Sequence, residues 1–192
     1  MTLLPPVLSV RVTLPEWVAS TVDFGRLYPT DGERMRLAIH LSRENVERRT
    51  GGPFGAAVFE RHSGRLVSVG VNEVMALRNS TVHAEMVALQ CAEQRVRSYS
   101  LHEARVEHDL FTSCAPCAMC LGATLWSGVT RLVAAADRDD AERAAFDEGP
   151  VFAESYAYLR ARGITVVRGF LREDAAAVIE QYRRMGGVAY NG

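Results

Sequence analysis

The sequence predicts a single three-layer α/β domain, and two observations carry that expectation. Helix-like and strand-like runs alternate in the order α-β-β-α-β-α-β through the middle of the chain, followed by a fifth short strand and a closing helix. A length of 192 residues, 48% hydrophobic and 23% charged, suits one well-packed domain.

The elements follow in order. Pro5, Pro6, Pro15 and Pro29 exclude a long helix from residues 1–29, which read as an extended N-terminal segment ahead of a domain spanning 30–192. From Thr30 the run TDGERMRLAIHLSRENVERR has a capping residue, early acids and apolar positions at helical spacing, predicting a first helix. Residues 54–60 and 65–71 predict a hairpin around His62-Ser63-Gly64. A second helix is expected over 82–97, a third strand over 107–113, a third helix over 116–127 with Pro116 in its first turn, and a fourth strand over 130–137. Short helices at 139–146 and 151–162, a fifth strand at 163–169 and a helix at 173–185 complete the chain, with Gly186-Gly187 as the stop.

Composition narrows the chemistry. A formal net charge of -1 provides no overall positive field for phosphate binding, which disfavours nucleic acid as a partner. All 22 positive residues are Arg, so lysine Schiff bases, lysine nucleophiles and a Walker-type phosphate loop are excluded. Three of the four cysteines, Cys114, Cys117 and Cys120, crowd together while Cys91 stands apart, a pattern that suits a metal site in a reducing compartment. No run approaches a membrane span and the N-terminus lacks a signal-peptide pattern, so no membrane partner and a cytoplasmic location are expected.

His83 and Glu85 fall at the start of the second helix, while Cys117 and Cys120 are three apart on one face of the third, near the positive end of its dipole. One His and two Cys leave a tetrahedral zinc one ligand short, and that open position distinguishes a catalytic zinc that activates water from a structural one. Glu85, two residues from the ligand, can stay off the metal and shuttle protons. Taken singly, each residue has an ordinary reading: His83 as a cap, Glu85 as dipole compensation, the cysteines as small apolar filler. Cys114 adds two alternatives, a closed His-Cys₃ structural zinc and the start of an iron–sulfur run, although the latter finds Thr124 where its fourth cysteine would stand. Cys114 precedes the proline at a strand end, so its direction differs from that of the helical pair. His40, His62, His102 and His108 are read as structural or solvated.

The pair H-x-E and P-C-x-x-C, present as His83-Ala84-Glu85 and Pro116-Cys117-Ala118-Met119-Cys120, resembles the signature of the zinc-dependent cytidine-deaminase-like superfamily. Within it the chain is most similar to bacterial guanine deaminases, through GGPFGAAV at 51–58, Asn72, the segment 112–126 and DDAERAAFDEGP at 139–150; the resemblance covers roughly residues 33–190. It implies a five-stranded mixed sheet sandwiched by helices, one zinc per chain on His83, Cys117 and Cys120, Glu85 as proton shuttle, and a homodimer. It also implies Glu148 as a second catalytic acid, Phe54 and Trp126 as aromatic walls of a base pocket, Asn72 as a polar contact to the ring, and Ala84 as a substrate-contacting position. In such enzymes a C-terminal segment can close the site, often from the neighbouring subunit, which gives Tyr190 two readings, a lid residue or part of a frayed tail. The chain departs from the pattern at Ala115, where many relatives carry Glu, and in its longer N-terminal extension. The substrate expected is guanine, giving xanthine and ammonia. Amino-triazines such as ammeline use the same donors and acceptors. Cytosine, cytidine or guanosine is the next reading, then a tRNA adenosine, then a structural zinc module without catalysis.

Overall fold

The computed structural model describes residues 7–190. Its strands are β1 (Gly55–Glu60), β2 (Leu66–Val71), β3 (His108–Cys114), β4 (Arg131–Ala136) and β5 (Thr165–Val167), joined in one sheet of order β2-β1-β3-β4-β5. β1 runs antiparallel to both β2 and β3, whereas β3, β4 and β5 are mutually parallel, so the sheet is mixed. The α-helices among the described residues are α1 (Trp17–Thr21), α2 (Asp31–Glu47), α3 (Val74–Leu77), α4 (Ala84–Val96), α5 (Ala118–Ser127), α6 (Arg138–Glu142), α7 (Ala153–Ala161) and α8 (Arg172–Arg184).

The period of two along each strand divides the core into two layers. Ala57, Phe59, Phe111 and Val133 face α2 and α8, meeting Met35, Leu41, Val178 and Ile179. Ala56, Val58, Leu110 and Leu132 face the other way, against Ala88 and Ala92 of α4, Leu121 of α5 and Leu159 of α7. Both faces are covered, which is why β2 and β3 are buried at every residue rather than at alternate ones.

Local signals explain most boundaries. Thr30 Oγ1 accepts from the Glu33 amide at 3.2 Å while Glu33 Oε2 accepts from the Thr30 amide at 3.2 Å, a reciprocal cap that starts α2. Gly64 turns the hairpin at φ +70°, where a Cβ would stand 2.5 Å from the Tyr28 carbonyl oxygen, so glycine is required. Described residues of the N-terminal segment pack onto the body: Trp17, Val18 and Val22 are buried in the α2 layer, and Trp17 Nε1 donates to Thr50 Oγ1 at 3.0 Å. Pro5 and Pro6 lie outside the described residues.

Three details differ from the sequence reading. α4 begins at Ala84 and α5 at Ala118, so His83 and Cys117 are N-cap residues with extended backbone (ψ 158° and 173°) and Pro116 precedes the cap. β5 covers only Thr165–Val167, an edge strand with an exposed first residue. α3 was not expected; its four residues end at Arg78, whose φ of +50° is left-handed, and are too short for any period to show.

Candidate active site

The two N-cap positions open beside the carboxyl end of β3, the place where α/β sheets leave a crevice. Extended backbone at His83 and Cys117 turns both side chains back across the first turns of their helices, and Cys120 meets them from inside α5. The donor atoms of His83, Cys117 and Cys120 all lie within 4.8 Å of one another, with His83 Nδ1 3.5 Å from Cys117 Sγ. Their electrostatics are mutually set. The Cys117 thiol is pulled down to about 4, chiefly by its hydrogen bond with Cys120 and then by His83, against the opposing effect of burial. Cys120 is pushed well up by donating to that thiolate and by burial. Burial works against the His83 cation, but the hydrogen bond and charge of Cys117 outweigh it and raise His83. Two sulfurs and one imidazole converging in this way fit a zinc ion, and leave it a fourth position.

Glu85 is 6% exposed and its carboxyl is raised by burial and then by the Cys117 thiolate. Oε1 accepts from Thr112 Oγ1 at 2.9 Å, and Oε2 stands 3.5 Å from Cys120 Sγ. Glu148 is 7% exposed and is pushed up to about 8, first by burial, then by Cys117 and Glu85. Its backbone carbonyl accepts from the Ala118 amide at 3.0 Å, which ties the Glu148 loop to the start of α5.

Phe54, Asn72, Glu148 and Tyr190 line the same cavity as His83, Glu85 and Cys117. Asn72 is fixed by its own backbone: its carbonyl accepts from Asn45 Nδ2 at 2.9 Å and its Oδ1 from the Val74 amide at 3.2 Å. Its Nδ2 and the Tyr190 hydroxyl are both buried at the cavity and have no other protein partner, and Asn72 interacts with the Tyr190 hydroxyl closely enough to lower its titration against the larger effect of burial. The glycine pair of GGPFG gives room for both residues. A Cβ at Gly51 would stand 1.8 Å from the Asn72 carbonyl oxygen, and one at Gly52 would stand 2.1 Å from the Tyr190 hydroxyl.

Two of the expected substrate contacts do not line this cavity. Trp126 is 78% exposed and does not line the cavity. It lies six residues beyond Cys120, about 240° around the helix axis, so it faces solvent. Ala84 is fully buried in the core layer against the sheet, because the residue between His83 and Glu85 must point the opposite way. Cys114 does line the cavity, but its Sγ faces the Asp137 carbonyl oxygen at 3.8 Å, burial pushes its thiol well up, and it stands outside the three-donor group. His40, His62, His102 and His108 are all away from the cavity. The sequence reading missed Thr112, Asn45 and the ring of Phe146, which packs edge-to-face on both Phe54 and Tyr190. Every residue of β3 is buried, so no alternation singled out Thr112; Asn45 in an otherwise amphipathic helix was the one available signal.

A mixed sheet presenting a His-Cys-Cys triad and a buried carboxyl at paired helix starts is the plan of a zinc-dependent deaminase. The chain belongs to the family of the cytidine and deoxycytidylate deaminase zinc-binding region, whose model matches residues 29–136. It is 35% identical over 120 residues to the guanine deaminase of Bacillus subtilis (strain 168), covering 62% of this chain and 73% of that one. A solved guanine deaminase from Nitrosomonas europaea is 40% identical, superposes with a TM-score of 0.87, and covers 92% of this chain and 97% of its own. A structure solved in complex with 2,6-diaminopurine is 41% identical, with a TM-score of 0.89 and coverage of 95% and 97%. The tRNA-specific adenosine deaminase of Buchnera aphidicola is more distant, at 28% over 156 residues. No helix among the described residues is long and apolar enough to cross a membrane.

Proposed function

We propose that this chain converts guanine to xanthine and ammonia, with one zinc held by His83, Cys117 and Cys120. The observation that carries the reading is Glu148, a buried carboxyl facing the same cavity as the metal triad, beside the polar groups of Asn72 and Tyr190. A purine bearing N1–H and a 2-amino group offers donors to Glu148, and its ring acceptors suit Asn72 Nδ2. The relatives named above as guanine deaminases, and the complex with 2,6-diaminopurine, support this choice.

A bound zinc supplies Lewis-acid activation of water near neutral pH. Glu85 is held at Oε1 by Thr112, and its other oxygen is the proton carrier. As the water oxygen bonds to C2 and the C2–N2 bond breaks, Glu85 moves one water proton to the departing amine, while the other ends on the ring nitrogen. Glu148, protonated near neutrality, takes the role of holding the amino group and assisting its departure. Phe54 gives the ring an apolar wall. Ammeline belongs to the same proposal, because its ring presents equivalent groups.

The cavity measures about 20 Å³, space for roughly one water, so seating a base requires a lining side chain to move aside, and a ribose asks for far more. Nucleosides are therefore expected to be poor substrates. A reducing cytoplasmic setting fits the four free cysteines. A homodimer fits the exposed Trp126, Phe152 and Tyr158.

The test is ammonia release by zinc-loaded protein from guanine, ammeline, guanosine, cytidine, cytosine, adenine and a tRNA stem-loop, run beside Glu148→Gln. Turnover confined to guanine and ammeline, and lost with Glu148→Gln, is the expected result. Turnover of nucleosides alone, or full activity of Glu148→Gln, would reject it.

A further inference from the structure

We propose that Phe146 is a positioning residue that couples the seating of Tyr190 over the cavity to the placement of Glu148, an inference that rests on the reading of this cavity as the substrate site. Phe146 is 2% exposed and stands two residues before Glu148. Its ring meets Phe54 edge-to-face at 4.9 Å and 73°, meets Tyr190 at 5.2 Å and 64°, and stacks on Tyr182 of α8 at 6.0 Å and 27°. One side chain thus touches the apolar wall of the cavity, its C-terminal cover and the helix from which that cover departs.

Both ends of this contact are tied down. On the Glu148 side, the Phe146 amide donates to the Ala141 carbonyl at 3.2 Å, and the Ala118 amide donates to the Glu148 carbonyl at 3.0 Å. Ala145 between α6 and Phe146 has a φ of +67°, left-handed for a residue with a side chain, so the loop holds a conformation its surroundings must enforce. On the Tyr190 side, the Gly187 amide donates to the Tyr182 carbonyl at 3.0 Å and Tyr182 Oη donates to the Val188 carbonyl at 2.9 Å. The tail therefore leaves α8 in a fixed direction and lays Tyr190 on Phe146.

The cavity is too small for a base as it stands, so binding must move a lining side chain, and Tyr190, carried by the C-terminal tail rather than by a strand or helix, is the one assigned that movement. Close-packed interiors do not deform continuously: a ring that loses the neighbour on one side rotates or shifts into the space. Phe146 is the group that feels Tyr190 move, and two peptide bonds carry its shift to Glu148. A displacement of about 1 Å at a reacting carboxyl is enough to cost about a hundredfold in rate.

The deciding measurement is residue-resolved amide hydrogen exchange on the full chain, wild type against Tyr190→Ala, with activity as the second arm. Tyr190→Ala is expected to speed exchange at the Phe146 and Ala118 amides at least about tenfold while α4 amides keep their wild-type rates. Unchanged exchange at those two amides, or uniform acceleration along the chain, overturns the coupling. On guanine, Phe146→Leu and Tyr190→Ala are each expected to lower kcat more than they change KM, and the double variant to be no worse than the poorer single one. Losses that multiply would show independent action and reject the proposal. Absence of guanine turnover in the wild type would count against the substrate reading alone, because the exchange arm does not depend on it.

Discussion

Strand β3 has buried charge near both of its ends, and the two ends treat it in opposite ways. At the N-terminal end, Asp109 is fully buried and meets three guanidinium groups: Arg34 at 3.2 Å, Arg61 at 2.7 Å and Arg131 at 3.5 Å. Arg34 also donates to the carbonyls of Tyr28 and Arg61, and Arg131 makes a two-pronged contact with Asp31. At the C-terminal end, Glu85 has no guanidinium beside it: its two oxygens accept from the Thr112 hydroxyl and the Cys120 thiol. A buried carboxylate is costly unless cations compensate it, so Asp109 stays charged among its guanidinium groups while Glu85, with none beside it, is pushed toward its protonated form by burial. The uncompensated carboxyl is the reactive one, and the compensated one anchors the strand.

The largest expected effect separates the two ends most sharply. Glu85→Gln should lower deamination by about 10²–10⁴-fold, the usual worth of a positioned acid–base group, while zinc content measured on the purified protein stays at the wild-type level. Loss of zinc together with activity would make Glu85 part of the metal site, and the contrast would collapse into simple ligation. Asp109→Ala should do the reverse. It strands Arg34 and Arg61 without their carboxylate, so denaturant unfolding should show a loss of about 3–5 kcal/mol. Turnover per folded molecule should stay within about twofold, because the site lies at the far end of the strand. A large fall in turnover without a fall in stability would show that the anchor is also catalytic machinery.

Glu73 sharpens the comparison at intermediate scale. It is 2% exposed beside Asn72, neither oxygen has a partner, and burial pushes its carboxyl up to about 7. A carboxyl raised on folding stabilises the folded chain while it stays protonated. Its contribution is present below the unfolded value of 4.5 and is lost as the pH climbs to about 7, because the unfolded chain gives up its proton first. Glu73→Gln should remove that loss. The stability difference between pH 5 and pH 8 should shrink by about 2–3 kcal/mol in the variant, read from thermal unfolding at the two pH values. An unchanged difference would mean that the carboxylate finds a partner when it ionises.

Much of this layout was legible in the sequence because it rests on local chemistry. Thr30 with Glu33 marks a helix start, Gly64 a hairpin, and His83, Glu85, Cys117 and Cys120 need only spacing and the two helix starts to converge. The residues that spacing did not place at the cavity are those for which direction mattered more. Trp126 shares a helix with Cys120 but faces away from it, and Ala84 shares a tripeptide with two cavity residues but packs into the core. The supports were hidden for a third reason. Asn45, Thr112 and Phe146 reach the site from α2, β3 and the loop after α6, and apart from the polar Asn45 in its helix nothing local in those segments distinguishes a support from ordinary core.

Cys114 gives the smallest effect expected and the finest test of which end of β3 is reactive. It shares the cavity with the metal triad, so proximity alone would make it a fourth ligand and close the site. Its surroundings argue otherwise. The thiol is fully buried, pushed well above its ordinary value by burial and by the carboxyls of Glu148 and Glu85, and aimed at the Asp137 carbonyl. What separates it from Cys117 and Cys120 is placement: the donor atoms of those two and of His83 lie within 4.8 Å of one another, and Cys114 is not in that group. Cys114→Ala should therefore retain one zinc per chain and most of the activity, losing about 1 kcal/mol or less of packing. Full loss of zinc in that variant would put a fourth sulfur on the metal, remove the open position, and turn the reactive end of the strand into a second structural anchor.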